Sequence, residues 1–478
     1  SPCCFAPAVP WLLLLAAASV FVQTEKPASN PRFTGRPFIV VWNAPTQDCK
    51  PRFKVSLNFS HFDLEASPNE GFVDQNVTIF YKERLGLYPY YDVQKRPVNG
   101  GVPQNSSLRE HLNRLKDNIQ KYIPSNAKEG LAIIDWEEWR PIWIRNWQTK
   151  DIYRQTSRRL VQNRHPEWPE DQVLKEAQYE FEASAREFML QTLKKAKDIR
   201  PHQLWGYYLF PDCYNHDYSK NQESYTGHCP DVERTRNDHL SWLWKESTAL
   251  YPSIYLDQML SNSANGRKFV RSRVKEAMRI SQQHHEGYAL PVFVYARPTY
   301  IRKVDVLTGI DLVSTIGESA ALGAAGAIFW GDAEYTKSRD TCETIKNYTE
   351  RDLGRYIVNV TTAALLCSQT LCHGHGRCVR RVDNADVFLH LNSANFQIQR
   401  NEEASSDRTR LNTPLLKAEG KLSSTDTAFL RTHFRCHCYQ DWPGESCEQK
   451  SNGNDSPCLC SAFGLLALTA MSLLACLH

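Results

Sequence analysis

The sequence lacks a strong excess of charge of either sign. Its 57 Lys and Arg residues nearly balance 53 Asp and Glu residues, leaving a formal net charge of +4 over 478 residues. No run of Lys or Arg stands out. A nucleic-acid-binding surface needs concentrated basic charge, so no nucleic-acid partner is expected. Basic side chains gathered at a cleft would still suit an acidic substrate.

The apolar run at the carboxyl end lacks the basic cluster that follows an ordinary membrane-spanning helix. Residues 451–478, SNGNDSPCLCSAFGLLALTAMSLLACLH, instead combine small residues, a polar spacer and an apolar tail. This order predicts a removable signal for a glycosylphosphatidylinositol (GPI) anchor. Ser451 is the preferred attachment site and Asn452 the next, which predicts attachment to the outer face of the cell membrane.

An initiating Met and a basic segment are also missing before the apolar run VPWLLLLAAASVFV at 9–22. An apolar run of this length followed by polar residues is typical of a secretory signal peptide. We therefore expect residues 1–22 to be a signal peptide that is truncated at its amino end.

Cysteine and sequon content agrees with secretion. The chain has 15 Cys, and removing the two terminal segments leaves ten, an even number suited to disulfides in an oxidising compartment. Five N-x-S/T sequons in the remaining chain are predicted glycosylation sites, at Asn58, Asn76, Asn105, Asn347 and Asn359.

Short apolar runs alternate with amphipathic segments between residues 30 and 360. The runs are 37–42, 77–81, 131–136, 204–210, 253–257, 291–296 and 325–332. Most are continuously apolar, as in strands covered on both faces. The segment 171–201 has helical spacing and ends at Pro201. We predict an α/β domain, a (β/α) TIM-like barrel, although a doubly wound sheet would give a similar alternation.

Polar and aromatic residues follow these predicted strands, at the end where such barrels carry their chemistry. They are Asp135, Glu137, Tyr208, Asp212, Tyr255, Asp257, Arg297, Trp330 and Asp332.

The stretch GLAIIDWEEWRP at 130–141 is the most informative of these strand ends. Residues two apart share a strand face, so Asp135 and Glu137 should both face the mouth of the barrel. Two carboxylates this close do not both ionise freely, and a retained proton suits cleavage of a glycosidic bond. We predict a glycosidase with Glu137 as the acid. The alternative is a structural carboxylate pair bound to Arg140 or Arg145. Trp136 and Trp139 receive no role.

A cysteine-rich module is predicted at 363–448. Its ending, C-x-C-x3-W-x-G-x2-C, has the spacing of the last hairpin of an EGF-like module, with Asp441 where Gly is usual. Asp tolerates the left-handed conformation that this turn needs. The motif CHGHGRC could also bind a metal, but disulfides account for every cysteine, so no metal or cofactor is expected. Residues 381–435 are interpreted as a long irregular insertion.

Several long motifs of this sequence resemble those of a known protein family. The segments IDWEEWRP, DIYRQTSRRLVQNRHPEWP, WGYYLFPDCYNHDY, ALYPSIYLD and GESAALGAAGAIFWGD, with the six-cysteine module, resemble the animal hyaluronidase family from about 36 to 448. The tail, with TGRPF and FWGDAEYT, is most similar to the GPI-anchored somatic member of that family.

The resemblance implies a distorted (β/α) barrel, an EGF-like module, and endo-hydrolysis of β-1,4 bonds in hyaluronan, with chondroitin as a poorer substrate. In the family mechanism the N-acetyl oxygen of the substrate attacks the anomeric carbon. By this resemblance Glu137 is the general acid and base, and Asp135 orients the acetamide. Substrate contacts are implied for Tyr81, Tyr208, Tyr255, Arg273 and Trp330.

The resemblance also implies the disulfides Cys49–Cys342, Cys213–Cys229, Cys367–Cys378, Cys372–Cys436 and Cys438–Cys447. It names no protein partner. Asp332 departs from the soluble relatives, and an extra acidic group near the groove for a polyanion should weaken binding. A non-catalytic surface receptor that binds hyaluronan on the same scaffold is the alternative function.

Overall fold

The computed structural model describes residues 25–67, 73–301, 304–401 and 414–451. The predicted signal peptide at 1–22 and the predicted anchor signal from Asn452 onward lie outside these residues. Across the described parts of the chain, no helix combines the length and apolar character needed to cross a membrane.

Strands and helices alternate through the barrel, and a smaller strand-rich unit follows. The strands are β1 (Ile39–Asn43), β2 (Leu64–Glu65), β3 (Val77–Tyr81), β4 (Tyr90–Tyr91), β5 (Pro97–Val98), β6 (Gly130–Asp135), β7 (Gln203–Tyr207), β8 (Phe293–Ala296), β9 (Gly326–Trp330), β10 (Gly376–Arg380), β11 (Phe396–Arg400), β12 (Leu416–Gly420) and β13 (Phe434–Cys438). The α-helices are α1 (Cys49–Phe53), α2 (Leu108–Tyr122), α3 (Asp151–Arg164), α4 (Glu170–Ile199), α5 (Asp231–His239), α6 (Ser241–Glu246), α7 (Ala264–Gln283), α8 (Gly309–Leu312), α9 (Glu318–Ala321), α10 (Arg339–Glu350), α11 (Asp352–Leu371) and α12 (Ser424–His433).

The barrel consists of two parallel sheets, β2-β1-β9-β8 and β3-β6-β7. Isolated parallel bridges at 250–253 join them, because Tyr251 pairs with Tyr208 beside β7 and Ser253 pairs with Tyr295 on β8. On the other side, the Gln75 amide before β3 donates to the Ser67 carbonyl after β2. The predicted barrel is therefore confirmed in a distorted form.

Two of the barrel's strand positions differ from the sequence prediction. The predicted strand at 253–257 is wrong, since the pairing lies at 250–253 and remains a set of single bridges. Pro252 lies within the segment 250–253 and has no N–H to donate to a β-ladder. Its carbonyl does accept from Tyr295 N at 2.8 Å. The two-residue strand β2 was too short to give a periodic signal.

Side chains alternate between the inside of the barrel and its helix-covered outside. Ile39, Val41, Val77, Ile79 and Ile133 belong to the inner cluster, whereas the intervening residues pack outward against the helices. Continuous apolar runs arise because both faces of each strand are buried.

The helical prediction for 171–201 is confirmed by α4. Its apolar positions Val173, Ala177, Phe181, Phe188 and Leu193 are buried, and the helix ends at Ile199, two residues before Pro201.

The carboxyl-terminal module does not begin at a clean boundary. Helix α11 runs unbroken from Asp352 through the predicted boundary at 363 and carries Cys367. The interpretation of 381–435 as irregular is wrong for its described part, which contains the β11–β12 hairpin and α12. Strands β10 and β13 form an antiparallel pair, and β13 carries Cys436 and Cys438 at the start of the predicted EGF-like ending. Asp441 has φ of 68°, the left-handed conformation expected at that turn.

All five disulfides implied by the resemblance are present: Cys49–Cys342, Cys213–Cys229, Cys367–Cys378, Cys372–Cys436 and Cys438–Cys447. In CHGHGRC, His373 bonds to the Ser446 carbonyl and His375 stacks on Trp442. The histidines of the alternative metal motif therefore hold the module together.

Candidate active site

The residues of the candidate site lie at the carboxyl ends of the barrel strands. Asp135 ends β6 and pairs in register with Tyr81, which ends β3. Trp330 ends β9, and Tyr208 directly follows β7. Around them lies a cavity of about 90 Å³, lined by Ile79, Ile133, Asp135, Glu137, Tyr208, Tyr255, Tyr295 and Trp330. Drug-sized ligands occupy about 300–1,000 Å³, so this space suits a substituent of a sugar.

The two carboxylates face the cavity together, as the strand period predicts. Glu137 is exposed at the mouth, whereas Asp135 is half-buried. The Oδ1 atom of Asp135 is sealed from solvent and has no hydrogen-bond partner within the described residues. Burial, and then the nearby Glu137 carboxylate, raise the pKa of Asp135 well above its usual range. Folding therefore shifts Asp135 towards its protonated form.

Basic side chains bind the backbone of this loop. Arg140 Nη1 donates to the Glu137 carbonyl at 3.0 Å, and Lys150 Nζ donates to the same carbonyl. Burial, and then Arg140, lower the pKa of Lys150 to about 8. Arg145 pairs instead with Asp212 at 2.9 Å. No ion pair joins the Asp135 or Glu137 side chain to a described basic residue, which disfavours the structural-pair alternative.

Aromatic side chains form the remaining walls. The rings of Tyr255 and Trp330 stack with centroids 6.0 Å apart, and Tyr208 lies 6.2 Å from Tyr255. Trp330 Nε1 donates to Tyr81 Oη at 3.3 Å. Burial raises the pKa of Tyr81 to about 12 and that of Tyr208 still further. These phenols therefore remain protonated and can donate to a ligand.

An ion pair lies beside these aromatic walls. Arg297 Nη2 binds Asp332 Oδ2 at 2.7 Å, and the Arg297 guanidinium lies 5.4 Å from the Trp330 ring centre. Asp332, expected from the sequence to repel a polyanion, thus has its charge compensated by Arg297.

Two predicted substrate contacts, Tyr81 and Arg273, do not line the cavity. Tyr81 borders it through its hydrogen bond with Trp330, whereas Arg273 lies elsewhere. It lies on α7 with 6 % of its surface exposed. Its guanidinium donates to Asn215 Oδ1 at 2.9 Å and to the Ser253 carbonyl at 3.0 Å. In this arrangement it supports the loops behind the site.

Sequence reasoning missed Tyr295, which lines the cavity. The alternation of side chains along β8 could have identified Tyr295, because Phe293 and Tyr295 share the inner face of that strand. Trp136 and Trp139 are buried in the outer core, which explains why they need no functional role. Asp257 receives the Met259 N–H at a helix start rather than facing the cavity.

A barrel with adjacent carboxylates and aromatic walls at its carboxyl-terminal strand ends defines a glycosidase. The chain belongs to the hyaluronidase family, whose sequence profile matches residues 27–451.

Named relatives agree with this family. Hyaluronidase-2 of Mus musculus is 57 % identical over 428 residues, covering 90 % of this chain and 89 % of the relative. Hyaluronidase-2 of Homo sapiens is 54 % identical over 465 residues, covering 96 % and 97 %. Bee venom hyaluronidase, solved in complex with a hyaluronic acid tetramer, is 32 % identical with a TM-score of 0.57, covering 67 % of this chain and 98 % of that one.

Proposed function

We propose that this glycosidase hydrolyses the β-1,4 bonds of hyaluronan that follow N-acetylglucosamine, with chondroitin as a poorer substrate. The names of the relatives and the tetramer bound to the bee venom enzyme support this substrate. The predicted retaining, substrate-assisted mechanism rests on the geometry of the cavity.

The observation that carries the mechanism is the placement of both carboxylates at the end of one strand, β6. Ordinary glycosidases place two carboxyl groups on either side of the scissile bond. Among the described residues that line this cavity, Asp135 and Glu137 are the only acids, and both project from the end of β6. No carboxylate among the described lining residues stands opposite them to act as nucleophile. The acetamido group of the substrate fills that role in our proposal.

The cavity would hold the acetamido group between Tyr255, Trp330 and the carboxyl of Asp135. Tyr208 would donate a hydrogen bond to the acetamide or the reacting sugar. The unpartnered Oδ1 of Asp135 would accept the acetamide N–H. This hydrogen bond favours the ionised form of Asp135. The proton that Asp135 releases can then pass to the neighbouring Glu137.

Cleavage would proceed in two steps. The acetamide oxygen attacks the anomeric carbon while Glu137 gives its proton to the departing glycosidic oxygen, forming a cyclic oxazolinium ion. Water then attacks the same carbon, Glu137 accepts the proton of that water, and the ring opens with retained configuration.

The experiment that tests this function is size analysis of high-molecular-weight hyaluronan after incubation with purified protein from acid to neutral pH. We expect progressive shortening with even-numbered products that carry N-acetylglucosamine at the new reducing end. Saturable binding with no shortening at any pH would instead establish the receptor alternative.

We further propose that the mature protein is held at the outer cell surface by a GPI anchor at Ser451 or Asn452. The order of small, polar and apolar residues in the tail supports this attachment. Phosphatidylinositol-specific phospholipase C should release the protein from intact cells. Retention, together with a detectable peptide from beyond residue 457, would contradict the proposal.

The five predicted glycosylation sites remain proposals that fit this location. Asn76, Asn105 and Asn347 are exposed, while Asn58 and Asn359 are half-buried. Mass spectrometry of glycopeptides would test each one.

A further inference from the structure

A second cavity lies at the amino-terminal end of the barrel, opposite the candidate active site. Its volume is about 240 Å³, and Ile39, Leu204, Phe293 and Ala325, at or beside the starts of four strands, line it. The EGF-like module closes it with Arg377 of β10 and with Gln440. The proposed function uses none of these residues.

The charge of this cavity is one-sided. Arg32, Arg36 and Arg377 line it, and the described lining contains no Asp or Glu. Arg36 already pairs with Asp63, which lies outside the lining, at 3.4 Å. Arg32 donates to the His202 carbonyl at 3.2 Å and has no acidic partner among the described residues. Two guanidinium groups therefore face the cavity without a counter-charge from the described chain.

Arg377 is the decisive residue because only 6 % of its surface is exposed. Its Nε donates to the Pro37 carbonyl at 3.1 Å, and its guanidinium lies 5.5 Å from the Tyr439 ring centre. In the described structure, Nη1 and Nη2 have neither a hydrogen-bond acceptor nor a carboxylate partner. Buried charges are normally paired, since desolvation without a partner is costly. Burial lowers the pKa of Arg377, in keeping with this missing partner.

The other walls define the rest of the ligand. Phe33, Leu204 and Phe293 present apolar surface, and Thr248 and Gln440 add neutral polar groups. The volume falls below the usual range of about 300–1,000 Å³ for drug-sized ligands. An inorganic anion would leave the apolar walls uncovered, whereas a neutral apolar molecule would leave the guanidinium groups unpaired.

We propose that this cavity is a binding site for a small organic carboxylate with an apolar body. Its carboxylate would take the free edge of Arg377 in a bidentate pair, assisted by Arg32, and its body would lie against Phe33 and Phe293. Because Arg377 and Gln440 belong to the module and Phe293 belongs to the barrel, bound ligand would link the two and stabilise the folded chain.

Benzoate is a suitable probe, with benzyl alcohol as its neutral counterpart and inorganic sulfate as the purely ionic one. Calorimetric titration of the purified full chain should show saturable binding of benzoate that weakens as NaCl rises. The thermal unfolding midpoint should rise with benzoate concentration. Benzyl alcohol and sulfate should each bind at least about tenfold more weakly, the factor that a free-energy difference of about 1.4 kcal/mol produces.

Two substitutions locate the binding. Arg377→Gln should weaken benzoate binding by about tenfold or more, since it removes a charge-assisted pair. Arg32→Gln, on an exposed residue that tolerates change, should weaken it by about threefold. Arg431→Gln is the matched control, because Arg431 is also exposed and lies outside the cavity. It should leave the affinity unchanged.

The proposal is wrong if the full chain shows no saturable benzoate binding, or if benzyl alcohol or sulfate binds as tightly as benzoate. It is also wrong if Arg32→Gln affects binding no more than Arg431→Gln does. This last comparison remains decisive if Arg377→Gln fails to fold.

Discussion

Arg297 and Asp332 form a 2.7 Å ion pair beside the stacked rings of Tyr255 and Trp330. Arg297 projects from the chain after β8, and Asp332 follows β9. The carboxylate therefore compensates the cation next to the proposed substrate cavity. In a site for a polyanion, the Asp332 carboxylate would weaken the attraction of the Arg297 cation for the substrate.

Asp332→Asn should leave the positive charge of Arg297 uncompensated and so strengthen its attraction for hyaluronan. We expect KM for hyaluronan to fall by about two- to fivefold at low ionic strength, because an ion pair with a partly exposed member such as Asp332, 37 % exposed, is worth about 0.2–1 kcal/mol. The decrease should disappear near 1 M salt, where the screening length is about 3 Å. Asn can still accept the Glu334 N–H that Asp332 now receives at 3.1 Å. A KM that is unchanged at low salt would show that Arg297 does not attract the substrate.

Glu137→Gln should lower the rate of hyaluronan cleavage by about 10²–10⁴, the usual contribution of general acid–base assistance. The fold should survive, because Glu137 is exposed at the mouth of the cavity. Glu138→Gln is the matched control, since Glu138 points away from the cavity and pairs with Lys82 at 2.6 Å. Release of reducing ends measures both variants. Near-normal cleavage by the Glu137→Gln variant would refute the assignment.

Asp135→Asn should abolish cleavage and yet stabilise the protein at neutral pH. The pKa of Asp135 is raised above the ordinary value of 3.8 in the folded state, so the folded chain binds the proton more tightly than the unfolded chain. Stability of the natural protein then falls as pH rises from about 3.8 through the raised folded pKa. Asn has no proton to lose, so the variant escapes this decrease.

Between pH 3.8 and the folded pKa of Asp135, the gain should grow by about 1.4 kcal/mol for each pH unit. It should shrink towards zero below pH 3.8. Denaturant unfolding across this pH range measures it, with the exposed Asp117→Asn on α2 as control. If the Asn variant gains no stability over the natural protein between pH 3 and pH 7, folding does not raise the pKa of Asp135.

Glu318→Gln should destabilise the contact between the barrel and the module. Arg380 Nη2, on β10, binds the fully buried Glu318 Oε1 at 2.6 Å, and Arg271 Nε binds the same oxygen at 2.6 Å. Removing this charge leaves Arg380 buried without a counter-ion, which costs about 3–5 kcal/mol. Asp386→Asn is the comparison, because Asp386 is 70 % exposed in its pair with Arg267 and should contribute at most about 1 kcal/mol. Equal losses for the two variants would contradict this account.

The predicted strand ends located most of the site. A period of two residues brings Asp135 and Glu137 to the cavity together. Tyr208 and Trp330 lie there because they follow or end a barrel strand. Tyr255 lines the cavity although the strand predicted for it is not formed. The barrel itself followed from apolar runs that alternate with helical segments. Among the described strand positions of the barrel, the sequence did not predict β2 or the bridges at 250–253, because a pairing of one or two residues produces no periodicity.

The residue pattern therefore predicts local features: which segments become strands, which face of each strand is inward, and which motifs resemble a family. Ion pairing and burial between distant segments follow only from the folded arrangement. The pKa of Asp135 is raised because folding buries its carboxyl group, and Arg273 binds Asn215, which is far from it in sequence. Arg377, which has no carboxylate partner among the described residues, is likewise buried by the contact between the barrel and the module. Burial and pairing depend on which surfaces meet in space, and no pattern along the chain contains that information.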